Sequence, residues 1–414
     1  MPFTEPNKIY MPTLLQFGAG NIGRSFVAQL FSAAGYEIVF VDVVDDLVAE
    51  LNSRGHYRVI IKDEPGTVLE VKRVRAIHGK KLAAVAEALA EADVAATAVG
   101  PNALPFLYLG IARGLQLRYE RHGLRPIDLI LAENLRNAAR IVHEGLQQQL
   151  PPGFPLDEMA GLVETSIGKM VPIMTDGQKA EDPLWVFAEA YNTLILDELA
   201  FRNLIPAVPG LSPKRNMAAY VDRKLFIHNL GHAAVAYLGY LNDPSLAYIW
   251  QAVAVPTVRE AAESAMWESA RSLIAAYPEE FDEENQRAHI DDLLRRFGNR
   301  ALGDTVYRVG RDLPRKLSRE DRIIGAMLFD SEQGVSSAAT ARVAAAAMEF
   351  RGRDELGRFS PPDIKFIEEF YPRGMSAIFS EVCGLDTGVP AEREIAKAIH
   401  AAHDELMSVK GLTG

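Results

Sequence analysis

The sequence predicts an α/β protein: an N-terminal Rossmann-type domain followed by a mainly α-helical C-terminal domain. Three observations carry that prediction. A short apolar run, Thr13–Phe17, leads directly into Gly18-Ala19-Gly20-Asn21-Ile22-Gly23 and then into a helical apolar pattern of Phe26, Val27, Leu30 and Phe31. A second apolar run, Ile38–Val41, closes on Asp42. After a cluster of turn residues (Pro206, Pro209-Gly210, Ser212-Pro213), helical periodicity dominates to the end of the chain. The domain boundary is placed there, giving 11–205 and 206–414, with residues 1–10 read as a loose leader and Met11 as a possible natural start.

In chain order, the strand, glycine turn, helix and acid-terminated strand form a dinucleotide fingerprint in its required context. The glycines allow a tight turn and close approach to a pyrophosphate, whose charge sits at the helix N-terminus. The competing explanation, a structural glycine turn in another α/β fold, does not require an acid at the end of the next strand. Gly18, Ala19, Gly20, Asn21, Ile22, Gly23 and Asp42 are therefore the expected cofactor contacts. A carboxylate at Asp42 can accept from the two adenosine ribose hydroxyls and would repel a 2′-phosphate, and Val43 and Val44 supply no arginine to reverse this. NAD is expected over NADP.

Asp45–Leu51 reads as a short helix, and Tyr57–Ile61 with Val68–Val74 as a hairpin around Glu64-Pro65-Gly66. Leu82–Ala90 is helical in pattern, and Val94–Val99 is a buried strand ending at Gly100-Pro101. A further strand, Asp128–Ala132, runs into Glu133-Asn134-Leu135-Arg136, and Gly161–Thr165 reads as the last one. Ligands of open parallel sheets bind at the strands' carboxyl ends, so Asn134 is a site candidate, against the commoner role of a turn-forming Asn.

The helical region opens on Tyr220–Ala233. At about 100° per residue, Lys224, His228, Asn229 and His232 share one arc with Val221, Leu225 and Ala236, while Phe226, Leu230, Ala233 and Tyr237 lie opposite. One amine, one amide and two imidazoles among apolar neighbours suit a cleft wall better than a solvated face. Gly231 costs about 1 kcal/mol of helix propensity against Ala, which points to another helix or a cofactor ring packed against it. Later helices are expected around 257–276, 286–297, 318–329, 336–350, 361–370 and 390–409.

Composition narrows the function classes. The 414 residues are 48% hydrophobic, enough for large cores, and the net charge of −11 opposes a nucleic-acid or anionic-membrane partner. The single cysteine, Cys383, excludes an internal disulfide and a cysteine-rich metal site. Neither a signal segment nor an apolar window near the ~18 residues of a membrane span is present, so a cytoplasmic enzyme is expected. No metal is expected either: Cys383 is far from His228 and His232, and no HxxxH pairs with nearby carboxylates.

Oxidising an alcohol without a metal needs a base for the hydroxyl proton and donors for the developing alkoxide. Lys224 can be that base if burial and the cofactor's charge lower its pKa from about 10.4. Asn229 is a donor that does not titrate, His232 can orient substrate or relay protons, and His228 is as readily a core histidine.

The spacing Lys224, Asn229, His232 resembles the signature of the polyol-specific long-chain dehydrogenases, the mannitol dehydrogenase family. Gly18–Arg24, Asn216-Met217 with Ala219–Phe226, and Arg308–Ser318 continuing to Asp321-Arg322 resemble its branch acting on mannitol 1-phosphate. The resemblance spans roughly residues 11–370. It implies Lys224 as general base, Asn229 and Asn134 holding the alkoxide, and a monomer or weak homodimer acting on a small sugar alcohol or sugar phosphate. Where the family has Val-Asp-Arg-Ile-Val-Pro, this chain has Ile167-Gly168-Lys169-Met170-Val171-Pro172, which leaves Lys169 as a substrate-side cation and removes an acid.

The expected reaction is NAD-dependent interconversion of mannitol 1-phosphate and fructose 6-phosphate. The alternatives are an unphosphorylated polyol or a hexuronate as substrate, a β-hydroxyacid dehydrogenase, and an NAD-binding sensor without turnover. Arg311, Arg315 and Lys316 flank Gly310 and Pro314, which break a regular helix, so their cationic ends are read as a phosphate clamp. The competing reading has these charges solvated or capping the carbonyl end of a preceding helix.

Overall fold

A computed structural model describes residues 10–63, 66–172, 174 and 176–409. The expected leader and the Glu64-Pro65 turn fall wholly or mostly outside these residues. The chain forms two compact units that part between Met217 and Ala218.

The first unit is built on strands β1 (Thr13–Phe17), β2 (Glu37–Asp42), β3 (His56–Ile61), β4 (Val68–Lys72), β5 (Val74–His78), β6 (Val94–Thr97), β7 (Ile127–Leu131), β8 (Ala160–Ser166), β9 (Val186–Ala188), β10 (Leu194–Asp197) and β11 (Leu211–Lys214). Eight of them form one sheet in the order β11-β10-β8-β7-β6-β1-β2-β5. Its ladders are parallel except β10 on β8. Helices cover both faces, which is why these strands are apolar throughout. Leu14, Ile38, Phe40, Ala96 and Ile130 point to one face and pack on Phe26, Val27, Leu30 and Phe31 and on the small sheet β4-β3-β9. Leu15, Phe17, Val39, Val41, Leu129 and Leu131 point to the other. There they meet helices Leu82–Glu91, Tyr108–His122 and Ala138–Gln147.

The expected strand over Val68–Val74 is two strands. Arg73 takes a left-handed φ of 56°, which turns the chain so that β4 pairs with β3 while β5 joins the large sheet beside β2. The expected boundary at 205/206 also differs from the observed parting. The turn residues that suggested it lead into β11, where Pro213 sits on the edge strand of the large sheet, a position that tolerates a missing N–H.

The second unit is helical. Helix 217–242 runs as Met217–Arg223, a π-helical turn Lys224–Asn229, and Leu230–Asn242. It packs on Pro256–Ala276, where a Cβ at Gly231 would stand 2.5 Å from Met266 Sδ. Of the two neighbours expected at Gly231, the structure supplies the helix. Around these lie Ile249–Val253, Glu283–Phe297, Val306–Gly310, Ile324–Glu332, Ala338–Met348 and Pro390–Val409. The helix expected from 318 starts at Ile324, because Ser318 and Asp321 close turns ahead of it. Cys383 is fully buried, and burial pushes its thiol up to about 12.

Candidate active site

The fingerprint turn in the first unit is held from several sides. Gly18 has φ +88°, and a side chain there would stand 2.5 Å from Ala98 O; one at Gly23 would overlap Gly18 O. At Gly20 nothing lies within 4 Å of an added Cβ. This is the open position of the turn, where a pyrophosphate can approach backbone, at the start of the helix carrying Gly23–Val27 and Ala28–Ala33. Buried Arg24 pins the turn from beneath, with Nε donating to Ala19 O at 2.6 Å and Nη1 to Leu184 O at 2.7 Å.

Asp42 laces this turn to the end of β2. Its Oδ2 accepts from Ala19 N at 2.7 Å, and its Oδ1 from Val43 N at 2.7 Å and Val44 N at 3.0 Å. A carboxylate accepts about four hydrogen bonds, so three amides leave room for roughly one ribose hydroxyl, where two were expected. The residues fit a dinucleotide: open backbone at Gly20, a helix start, and a fixed acid at the strand end.

Asn134 is exposed in a bend just beyond β7. Its neighbour Glu133, to which the sequence pattern assigns no role, is buried. It ties β7 to the end of β6 by accepting from Val99 N at 3.0 Å and Gly100 N at 2.8 Å. Lys169, expected to face substrate, is 6% exposed. Its amine donates to Tyr191 O at 2.8 Å and Asn192 Oδ1 at 3.0 Å, so the structure places it as an internal cross-link.

In the second unit the π-helical turn rearranges the expected polar arc. Residues five apart on an α-helix are about 140° apart. With i→i+5 hydrogen bonding and more residues in each turn, a π turn narrows that angle to roughly 50°. Lys224 and Asn229, five apart, begin and end this turn and are thereby closer in angle than on an α-helix, with Leu230 N bonded back to Leu225 O. Burial, reinforced by the Arg322 guanidinium, lowers the Lys224 amine to about 8. Arg322 is itself fixed by Asp321, with Nε 2.7 Å from Oδ1.

His228 is buried with its ring edge-on to Phe297, centroids 5.9 Å apart. Burial holds its pKa well below 6.5, reinforced by Arg296 and Lys224, so it is a neutral core imidazole. His232 stacks flat on Phe297 at 4.8 Å and 8°. Its Nε2 lies 3.3 Å from Asp304 Oδ2, off the hydrogen-bond axis. Phe297 and Asp304 were not legible from sequence.

The expected phosphate clamp is mostly internal. Lys316 is 5% exposed and its amine donates to Val309 O and Arg311 O, capping helix Val306–Gly310. Burial, with Arg322 and Arg315 nearby, lowers it to about 7. Arg315 lies between Asp312 and Asp321. Arg311 is exposed, with its guanidinium 5.9 Å from the Tyr307 ring centre.

Comparisons with known proteins agree with this architecture. Residues 12–210 match the family model for the mannitol dehydrogenase Rossmann domain, and 216–376 that for the mannitol dehydrogenase C-terminal domain. A mannitol-1-phosphate 5-dehydrogenase of Brevibacillus brevis is 36% identical over 338 residues, covering 81% of this chain and 85% of that protein. One from Paenarthrobacter aurescens is 37% identical over 338 residues, covering 81% and 86%. Among solved structures, substrate-free D-sorbitol dehydrogenase superposes with a TM-score of 0.75 at 16% identity, over 97% of this chain and 94% of that one. Octopine dehydrogenase with NADH and agmatine superposes with a TM-score of 0.51 at 14% identity, over 91% and 99%. Both likenesses are of fold. With both of its domains matched in order, the chain is an oxidoreductase that belongs to the mannitol dehydrogenase family.

Proposed function

We propose that this oxidoreductase interconverts mannitol 1-phosphate and fructose 6-phosphate with NAD, using Lys224 as general base and no metal. The observation that carries the reading is the pairing of Lys224, lowered to about 8, with Asn229 on one π-helical turn. The substrate class is supported by the names of the two bacterial relatives. NAD, when bound, supplies the hydride-accepting carbon. The glycine turn and Asp42 would hold it, and a carboxylate at that strand end disfavours the extra phosphate of NADP.

Near pH 8 about half of Lys224 is neutral and able to take the hydroxyl proton. In the reverse direction the ammonium returns it. Asn229 donates to the oxygen in either direction without titrating, and Asn134 keeps the second-donor role that the resemblance implied. The base takes the proton while the amide donors, in place of a Lewis acid, stabilise the charge developing on oxygen. In this reading the protein acts in the cytoplasm. Among the described residues, no helix is long and apolar enough to cross a membrane.

A second reading, an unphosphorylated polyol or a hexuronate, is favoured by one observation: Arg315 and Lys316 are engaged internally. The deciding experiment supplies purified protein with NAD or NADP, mannitol 1-phosphate, free mannitol, sorbitol and a hexuronate, with and without chelator. NAD reduction by the phosphorylated hexitol at a kcat/KM far above the rest, unaffected by chelator, is the expected result. Equal use of free mannitol would hand the assignment to the second reading.

A further inference from the structure

We infer that Asp304 is a positioning residue that fixes the proton of His232 on Nε2, so that the ring offers Nδ1 as a hydrogen-bond acceptor to a substrate hydroxyl. The Asp304 side chain is only 6% exposed. Its backbone is held rigidly: Gly303 before it takes φ 65°, Ile249 N donates to Asp304 O at 2.9 Å, and Tyr248 and Thr305 form an antiparallel bridge. Its two oxygens are divided, with Oδ1 paired to Arg308 and Oδ2 facing His232 Nε2 at 3.3 Å. Burial alone would raise this carboxyl, but His232 and Arg308 outweigh it and keep it below the usual carboxylate range.

An ionised carboxylate only accepts hydrogen bonds. Were Nε2 unprotonated, two acceptors would face each other in a buried setting, which costs the desolvation of both. The proton therefore belongs on Nε2. Burial, with Arg308 and Arg322 nearby, also lowers His232 below its ordinary pKa despite Asp304, so the ring carries one proton near neutrality. Nδ1 is left with its lone pair, and among the described residues nothing hydrogen-bonds to it. Stacking on Phe297 at 8° resists rotation of the ring. The off-axis approach at Nε2 fits a site whose bonds tighten when substrate is bound.

The placement also divides the hydrogen-bonding work. Asn229 can donate, while His232 accepts, so a carbinol oxygen and a neighbouring hydroxyl are recognised by groups of opposite sense.

The test needs no activity at first. In protein labelled with ¹⁵N-histidine, with His232 assigned by its loss in His232→Gln, the spectrum near pH 7 should show a neutral ring protonated on Nε2. A ring protonated on Nδ1 would overturn the inference. Asp304→Asn keeps the size but lets an amide N–H face Nε2, so the proton should move to Nδ1. In the kinetic arm, which rests on the proposed function, kcat/KM for the polyol substrate should fall roughly tenfold or more while KM for NAD stays within about twofold. A moved proton with unchanged kcat/KM would overturn the substrate role. If that variant does not fold, the wild-type spectrum still decides the tautomer. A protein that turned over no polyol would remove the proposed function while leaving that spectrum decisive.

Discussion

The Lys224 amine is lowered to about 8, and the sign of its effect on the proposed oxidation follows from its surroundings. Burial and Arg322 penalise the ammonium, so the neutral base is populated as pH rises. The kcat/KM for polyol oxidation is expected to rise through about pH 8 and level off above it. Arg322→Ala removes one of the two causes and should move the midpoint upward. A profile measured over pH 6–10 checks both statements, and an unmoved midpoint would take Arg322 out of the account. The cationic stretch makes a second test. Lys316→Met leaves two helix-end carbonyls without their donor, so it should lower stability by about 1–3 kcal/mol in urea denaturation. Arg311→Ala should instead raise KM for the phosphorylated substrate with little loss of stability. At this scale the tight glycine turn, the acid that closes β2 and a lysine set in a helix were readable as structure, because each has a local pattern around it. Asp304 and Glu133 were not. An acid next to a turn residue looks like an ordinary cap, and the partners of Asp304 lie 72 residues away at His232 (304 − 232) and on Arg308.

The helix 217–242 shows what periodicity reveals at the level of an element and what it conceals. A wheel at constant pitch finds the helix and its polar residues, yet it cannot register the π-helical turn, whose extra residue per turn depends on tertiary packing. The tightness beside Gly231 was legible as a glycine where alanine is intrinsically better. Its cause is Met266, and this yields a prediction. Gly231→Ala gains about 1 kcal/mol of helix propensity but places a Cβ 2.5 Å from Met266 Sδ, and overpacking costs about 1–3 kcal/mol. The variant should be destabilised on balance, and combined with Met266→Ala it should cost less than the sum of the two single losses. Strict additivity of the two substitutions would contradict the contact. At Gly20, where an added Cβ meets nothing, alanine should leave stability unchanged and weaken NAD binding, as calorimetric titration can measure.

For the molecule as a whole, two compact units were legible from the change of pattern, although not their parting. Short strands such as β10 and β11, four residues each, carry too little alternation to be separated from the loops around them. Stability as a function of pH offers a global test through Asp330. This residue is fully buried, accepts from Ser272 Oγ at 2.6 Å, and is pushed up to about 7 by burial, with Glu268 adding to the shift. A carboxyl with a raised folded pKa holds its proton in the native state after the unfolded chain has released it. Its contribution is therefore full below about pH 4 and is lost as pH rises toward about 7. Denaturation curves of wild type and Asp330→Asn should diverge across that window by on the order of 3–4 kcal/mol. Parallel curves would mean that Asp330 is ionised throughout.

The burial of Cys383 has a practical consequence. Thiol reagents attack the thiolate, and a thiol pushed up to about 12 inside the fold offers almost none. The unmodified chain is thus a blank background for site-specific labelling. Cysteines introduced at the exposed positions Leu204 and Leu356, 95% and 73% accessible, would be the only addressable ones. A donor and an acceptor dye placed there, one on each unit, would report their separation in solution while NAD and a polyol are titrated in.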